Sequence, residues 1–163
     1  MTENQHYPLE EWLESFYQSE KRHLMEKATI LYALEKNFGV GVREIVREER
    51  AKSVHSQWIA IAKQTAGTSI KDLIETLWAP LQQKGILRYE VIETKEEKTC
   101  LKVTSCLFAR LAEELNIPSD WGYDLYCSDD EHMVRGFNQR MKFSRSKTLM
   151  EGHDCCDYCH HMT

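Results

Sequence analysis

Leu87-Arg88-Tyr89-Glu90-Val91-Ile92 is the stretch at which the chain changes period. Leu87, Tyr89 and Val91 alternate with Arg88, Glu90 and Ile92, and alternation of this kind sends successive side chains to opposite faces of a strand. Residues 93–98 form a charged connection, and residues 99–104 read as the return strand, with Leu101 and Val103 on one side. Further along, residues 141–150 and 155–162 read as a third and a fourth strand. Between the two pairs, Ser105 is placed to cap a short helix that ends near Leu115, with Leu107, Phe108, Leu111 and Leu115 as its buried stripe. Pro118 and Ser119 then open a helical or irregular segment that runs through Cys127.

Upstream of this stretch the spacing is helical. Residues 8–37 read as a helix, with Pro8 in its first turn and Trp12, Phe16, His23, Lys27, Ile30 and Leu34 tracing a drifting stripe. Its length predicts a break near Gln18-Ser19, and Gly39 and Gly41 end it. Residues 42–65 carry a second helix whose charged middle, residues 47–52, is expected to face solvent. Ser69 caps a third helix, with Asp72 completing a weak capping box and Gly85 marking the exit. Trp58, Trp78 and Trp121 read as core. Helices come first and strands follow, which is the α+β class: N-terminal helices packed on a small antiparallel sheet of about four strands, interrupted by a helix. We expect one domain over residues 1–163, with a helical part (1–84) and a sheet-containing part (85–163) that carries the candidate site.

The totals narrow the partners. Of 163 residues, 42% are hydrophobic and 29% charged, an ordinary balance for a globule with its own core. The net charge of -5 and the lack of a basic run speak against nucleic acid. No apolar stretch approaches a membrane span, and the polar start Met1-Thr2-Glu3-Asn4-Gln5-His6 lacks a basic segment followed by an apolar one. A cytoplasmic protein with no membrane partner is the expectation. Thiols stay reduced there, so the six cysteines read as core residues, ligands or nucleophiles and not as disulfides.

All six cysteines lie at or after Cys100, and four of the seven histidines at or after His132. Cys156-Asp157-Tyr158-Cys159-His160 spells C-x-x-C-H, but covalent haem attachment wants export and a structural zinc site wants a second ligand pair. On a strand, Cys155, Asp157, Cys159 and His161 share one face and Cys156, Tyr158 and His160 the other, so Cys156 and Cys159 do not chelate one ion. No metal ligand is assigned, and the residues name no cofactor. Cys106, Cys127 and Cys156 form a long-range trio that is either core filler or site, and Cys106 at a helix start is expected to have its thiol pKa lowered by the dipole. Asp129, Asp130, Asp154 and Asp157 supply carboxylates and His153 a group that titrates near neutrality. Arg135, Arg140 and Arg145 are carboxylate clamps or surface charge.

Cys106-x-Phe108-Ala109, then Cys127 with Asp130 close behind, then Phe137-Asn138, then Thr148-Leu149-x-x-Gly152-x-x-x-Cys156-Asp157 resembles the L-2-amino-thiazoline-4-carboxylic acid hydrolase family. The likeness covers residues 85–161 well and the first helices loosely; His160-His161 departs from the family's more usual aromatic or basic residues. It implies a hydrolase that opens a cyclic C–N/C–S substrate such as 2-amino-thiazoline-4-carboxylate. In that reading Cys127 or Cys156 is the nucleophile, or the ligand of a metal that activates water. Asp130 or Asp157 is the general base and His153 a proton shuttle. Arg140 or Arg145 holds the substrate carboxylate, and Cys106, Asn138 and Thr148 complete substrate binding. The same element order is similar to vinyl-reductase-type and TRAPP-like domains, which bind small apolar or acyl ligands without catalysis, in some cases near a cysteine-bound metal. A small molecule is the expected partner in either case. The early helices offer a face for a homodimer.

Overall fold

The computed structural model describes residues 9–163. The helix start expected at Pro8 lies outside the described residues. Helix α1 (Leu9–Phe38) buries Leu24, Ala28 and Leu31, which stand one turn apart on one face. It runs unbroken through Gln18-Ser19, contrary to the break expected there. Neither glycine nor proline interrupts the run, and the Gln18 side chain donates one turn back to Glu14 (2.8 Å). Ile30, assigned to the buried stripe, is 61% exposed. Gly39, at φ +84°, turns the chain into α2 (Gly41–Ala62).

The charged middle of α2 stays largely in solvent, as expected, with Arg47, Glu48, Glu49 and Lys52 exposed; within it Arg50 is drawn inward, and Arg43 earlier on the helix is drawn in with it. Arg43 pairs with Asp120 (2.6 Å) and Asp124, Arg47 approaches Asp124 (3.5 Å), and Arg50 pairs with Asp129. These carboxylates arrive from helix α6 (Ser119–Leu125) and the turn after it, a tertiary meeting that spacing along α2 does not announce. Next come α3 (Ile70–Leu73), a wide π-helical turn (Ile74–Trp78) and α4 (Ala79–Gln83). The capping box at Ser69 and Asp72 closes in both directions, with Asp72 N–H donating to Ser69 Oγ (3.2 Å) and Ser69 N–H to Asp72 Oδ2 (2.8 Å). Pro80, which has no N–H to give to the preceding turn, follows the π turn.

The sheet is antiparallel throughout, in the order β1-β2-β4-β3: β1 (Leu87–Lys95), β2 (Lys98–Cys106), β3 (Met141–Ser144) and β4 (Cys156–Met162). The fold is therefore α+β. The connection expected over residues 93–98 shrinks to a turn at Glu96-Glu97. The third strand ends at Ser144 instead of reaching Met150. The backbone N–H groups of Ser146 and Lys147 donate to the Asp157 carboxylate (2.8 and 2.6 Å), which ends their use in a ladder. A 3₁₀ turn (Leu149–Glu151) and Gly152 at φ +85° then return the chain to β4. The alternation expected for the last strand holds, with Cys156, Tyr158 and His160 buried and the intervening residues less so.

Helices cover one face of the sheet. Leu101, Val103, Cys156 and Tyr158 meet Trp78 and Leu87 there. On the opposite face, Cys100 and Cys159 stand directly across β2 and β4, with Cα atoms 4.1 Å apart, and form a disulfide. This corrects the expectation of six free thiols: the pairing register brings the two cysteines together, and single-strand periodicity carries no information about register. Two further clusters complete the core. One joins α1 to α5 (Leu107–Glu114) and α6 (Ser119–Leu125); the other joins α2 and α3 to α7 (Asp130–Phe137) and β3. Gly136 makes the second possible. A Cβ there would sit 2.5 Å from the His55 carbonyl oxygen and 2.8 Å from Trp58 Cβ, so α7 lies flush on α2 only because the position has no side chain.

Candidate functional site

Three elements end at one place. Cys106 closes β2 and occupies the N-cap position of α5; Cys127 opens the 3₁₀ turn (Cys127–Asp129) after α6; Cys156 opens β4. All three face a single interior cavity of about 180 Å³, walled also by Trp78, Phe108, Tyr126 and Asp130. Phe108 and Tyr126 stack with ring centroids 4.6 Å apart, and Trp78 meets Tyr158 edge-on at 4.5 Å. The lining is mostly apolar, with the thiols and two carboxylates, Asp129 and Asp130, as its reactive groups.

Asp130 begins α7 and is held from behind. Arg145 forms an ion pair with it, and the Tyr158 hydroxyl donates to it (3.2 Å). Arg145 itself is 4% exposed. It further donates to the Tyr158 hydroxyl (3.0 Å), the Tyr123 hydroxyl (3.2 Å) and the Cys127 carbonyl (3.1 Å). Its guanidinium carbon lies 5.0 Å from the Tyr158 ring centroid and 5.4 Å from those of Tyr123 and Phe143. A planar cation among three rings and four acceptors is an orienting group. Both of its terminal nitrogens are engaged within the protein.

Burial decides the protonation of the site. It pushes Asp130 up to about 6, against the pull of Arg145 and the Tyr158 hydroxyl. Burial raises the Cys127 thiol far above its ordinary value, and the neighbouring Asp130 adds to the rise. Cys156 is pushed up to about 11 by burial, with the Leu149 N–H at 3.2 Å from its sulfur pulling the other way. Cys106 has the helix start expected of it, and the N–H groups of Phe108 and Ala109 favour its thiolate. Burial outweighs them and raises its pKa, which corrects the expectation of a lowered one. The three sulfurs are neutral thiols at rest beside a carboxyl group poised near neutrality.

The remaining residues singled out from sequence lie elsewhere. Asp157 faces away from the cavity and accepts hydrogen bonds from Ser146 and Lys147. Asn138 donates to the Thr68 carbonyl (2.8 Å) and ties the α2–α3 connection to the end of α7. Arg140 donates to the Thr163 carbonyl (2.8 Å), and Thr148 caps the 3₁₀ turn through Glu151. His153 is exposed on the rim of a separate surface groove of about 540 Å³. That groove shares Cys106, Ala109, Leu149 and Met150 with the inner cavity, so these residues are the partition between the two spaces.

Sequence reasoning missed Tyr158, Tyr123 and Tyr126 as site residues, and named Asp129 as a carboxylate without giving it a role. Tyr158 was legible, since it shares the inner face of β4 with Cys156. Tyr123 and Tyr126 carried no signal. Asp129 lines the cavity and is raised by burial, with Arg50 opposing. Among the described residues, no cluster of three or more His, Cys, Asp and Glu side chains is placed to hold a metal. No helix among them is long and apolar enough to cross a membrane.

Comparison with known proteins adds three findings. The family described as L-2-amino-thiazoline-4-carboxylic acid hydrolase matches residues 17–160. No curated protein matches the chain. Among solved structures, the phenol-responsive sensory domain of the transcription activator PoxR with phenol is similar at 11% identity and a TM-score of 0.56, over 86% of this chain and 74% of that one. A trafficking protein particle complex subunit 3 from Naegleria fowleri, covalently bound to palmitic acid, is similar at 10% identity and a TM-score of 0.53, over 88% of this chain and 94% of that one. At such identities the likeness shows the fold alone.

Proposed function

The chain belongs to the L-2-amino-thiazoline-4-carboxylic acid hydrolase family, and from that premise we propose that it is a hydrolase that opens a small cyclic C–N/C–S substrate such as 2-amino-thiazoline-4-carboxylate. The observation that carries this reading is the meeting of Cys127 and Asp130 at one cavity, a neutral thiol beside a carboxyl group whose pKa is about 6.

A raised thiol pKa argues against a standing thiolate and for proton transfer during attack. In the proposed sequence the Cys127 sulfur adds to the ring carbon that lies between the hetero-atoms, and its proton passes to Asp130. The bond from that carbon to the leaving ring atom breaks, and Asp130 returns the proton to it. Water then cleaves the bond between the carbon and the Cys127 sulfur, which restores the thiol. Arg145 and Tyr158 hold Asp130 at the cavity and stabilise its charged form. Cys156 and Cys106 border the reacting ring. The apolar walls exclude bulk water from the covalent step. A cytoplasmic location remains part of this proposal on the strength of the four free thiols, with the Cys100–Cys159 disulfide weighing against it.

A second reading, a small-molecule-binding or sensor domain without turnover, is favoured by the apolar lining and by what the two similar structures hold, phenol in one and covalent palmitic acid in the other. One experiment separates them: 2-amino-thiazoline-4-carboxylate is added to the wild type and to folded Cys127→Ser and Cys156→Ser variants, and ring opening is followed by product analysis. Turnover by the wild type that Cys127→Ser abolishes supports the hydrolase. Full turnover in both variants sinks the thiol mechanism. No turnover, with an apolar ligand carried through purification, establishes the binding reading.

A further inference from the structure

The outer groove has a charged feature that the inner cavity lacks. Arg110 lies on α5 one turn beyond Cys106, and both line the groove. Arg110 is close enough to Cys106 for its charge to favour the Cys106 thiolate. The other nearby cations are engaged: Arg145 by Asp130, two tyrosine hydroxyls and a carbonyl, Lys147 by Asp154 (3.5 Å), and Arg140 by the carbonyl of Thr163. Arg110 makes no ion pair or hydrogen bond through its side chain among the described residues. The hydroxyls of Ser105 and Ser119, also on the groove, are likewise without a protein partner among the described residues. Cys106 belongs to both spaces, so a ligand lying in the groove reaches the same wall that the inner cavity presents from behind.

We infer that the groove is an anion-binding subsite in which Arg110, assisted by the Ser105 and Ser119 hydroxyls, holds the carboxylate of a ligand whose body meets the Cys106 wall. The inference rests on the reading of the thiols as the reacting end of the site. It gives the carboxylate anchor to a residue other than the buried Arg145 and the distant Arg140. Glu113, three residues beyond Arg110, and Glu151 also line the groove; the two carboxylates keep it from being a general anion trap and suit a ligand that also carries a cationic nitrogen. Guanidinium–carboxylate pairing is directional, so Arg110 also sets the orientation in which the ligand meets the Cys106 wall.

The test uses two small alkylating probes that differ in charge, iodoacetate and iodoacetamide, with the Cys106 modification rate read by peptide mass spectrometry in the intact protein. Arg110→Gln is expected to lower the iodoacetate-to-iodoacetamide rate ratio at Cys106 by about five- to tenfold; the iodoacetamide rate itself falls only by the smaller factor that comes from losing the pull of Arg110 on the Cys106 thiol, which the ratio cancels. Arg110→Lys is expected to restore most of the ratio. Circular dichroism and the melting temperature of each variant serve as the control for folding. An unchanged ratio in Arg110→Gln overturns the inference, and so does a Cys106 that reacts with neither probe. Turnover assayed in the same variants keeps the two readings apart. A lowered ratio with no hydrolysis in the wild type leaves the anion subsite standing and removes the hydrolase. Hydrolysis with an unchanged ratio and an unchanged KM in Arg110→Gln does the reverse.

Discussion

Arg145 reaches Asp130 and the Tyr158 hydroxyl from the same guanidinium nitrogen, so the carboxylate that faces the thiols is held by a cation that itself has almost no contact with solvent. Removing one member of such a pair leaves a charge with no compensation. Arg145→Met is therefore expected to destabilise the protein by about 3 kcal/mol or more and to raise the Asp130 pKa further. The double variant Arg145→Met/Asp130→Leu is expected to recover most of that stability and none of the activity. Urea unfolding of the three proteins checks the first statement, and turnover the second.

Asp130 has to be ionised to accept the thiol proton. With its pKa pushed up to about 6, kcat/KM is expected to fall as pH drops through 6, well above the range in which an ordinary aspartate protonates. Asp130→Asn is expected to cost about a hundredfold or more in kcat and to abolish that acid limb. A limb that persists in Asp130→Asn would assign it to another group.

His160 is fully buried, packed on Trp78 and Phe143 at ring distances of 6.0 and 5.9 Å, and neither of its ring nitrogens has a partner among the described residues. Burial, with His161 adding, lowers its pKa to about 4. The unfolded chain binds this proton below about 6.5 and the native state does not. Stability is therefore expected to fall as pH drops from about 6.5 to 4, by up to about 3 kcal/mol from this group, and to be constant in this respect above 6.5. His160→Phe should flatten that part of the stability-versus-pH curve, measured by denaturant unfolding at a series of pH values.

The Cys100–Cys159 bond spans 59 residues of chain and ties the two middle strands. A cross-link closing a loop of that length stabilises by about 4 kcal/mol in the chain-entropy account. Titration of denatured, unreduced protein is expected to find four thiols, those of Cys106, Cys127, Cys155 and Cys156. Reduction, or the pair Cys100→Ser/Cys159→Ser, should lower the melting temperature and leave a folded protein.

What could be read in the chain follows from the range over which each signal acts. The period change at Leu87, the capping box at Ser69-Asp72 and the two faces of β4 depend on neighbours a few residues away, and each is visible along one segment. The meeting of Cys106, Cys127 and Cys156 was nameable as a trio because all three sit at element boundaries. Arg50 read as solvated because its carboxylate partner lies more than 70 residues away. The disulfide escaped because it depends on register between β2 and β4. Asp157 read as a candidate base, yet its position on β4 points it at the Ser146-Lys147 backbone, where it shapes the end of β3.

The last strand gives the protein two redox compartments separated by the thickness of one backbone. Cys159 points out of the sheet and is oxidised; Cys156, three residues earlier, points in and is reduced. Thiol–disulfide exchange needs a thiolate sulfur to approach the disulfide directly. The pleat denies Cys156 that approach, and its raised pKa denies it the thiolate. An oxidant strong enough to close the outer bond can therefore act without consuming the inner thiols, so one short strand keeps a cross-link and a reagent in adjacent, non-communicating rooms.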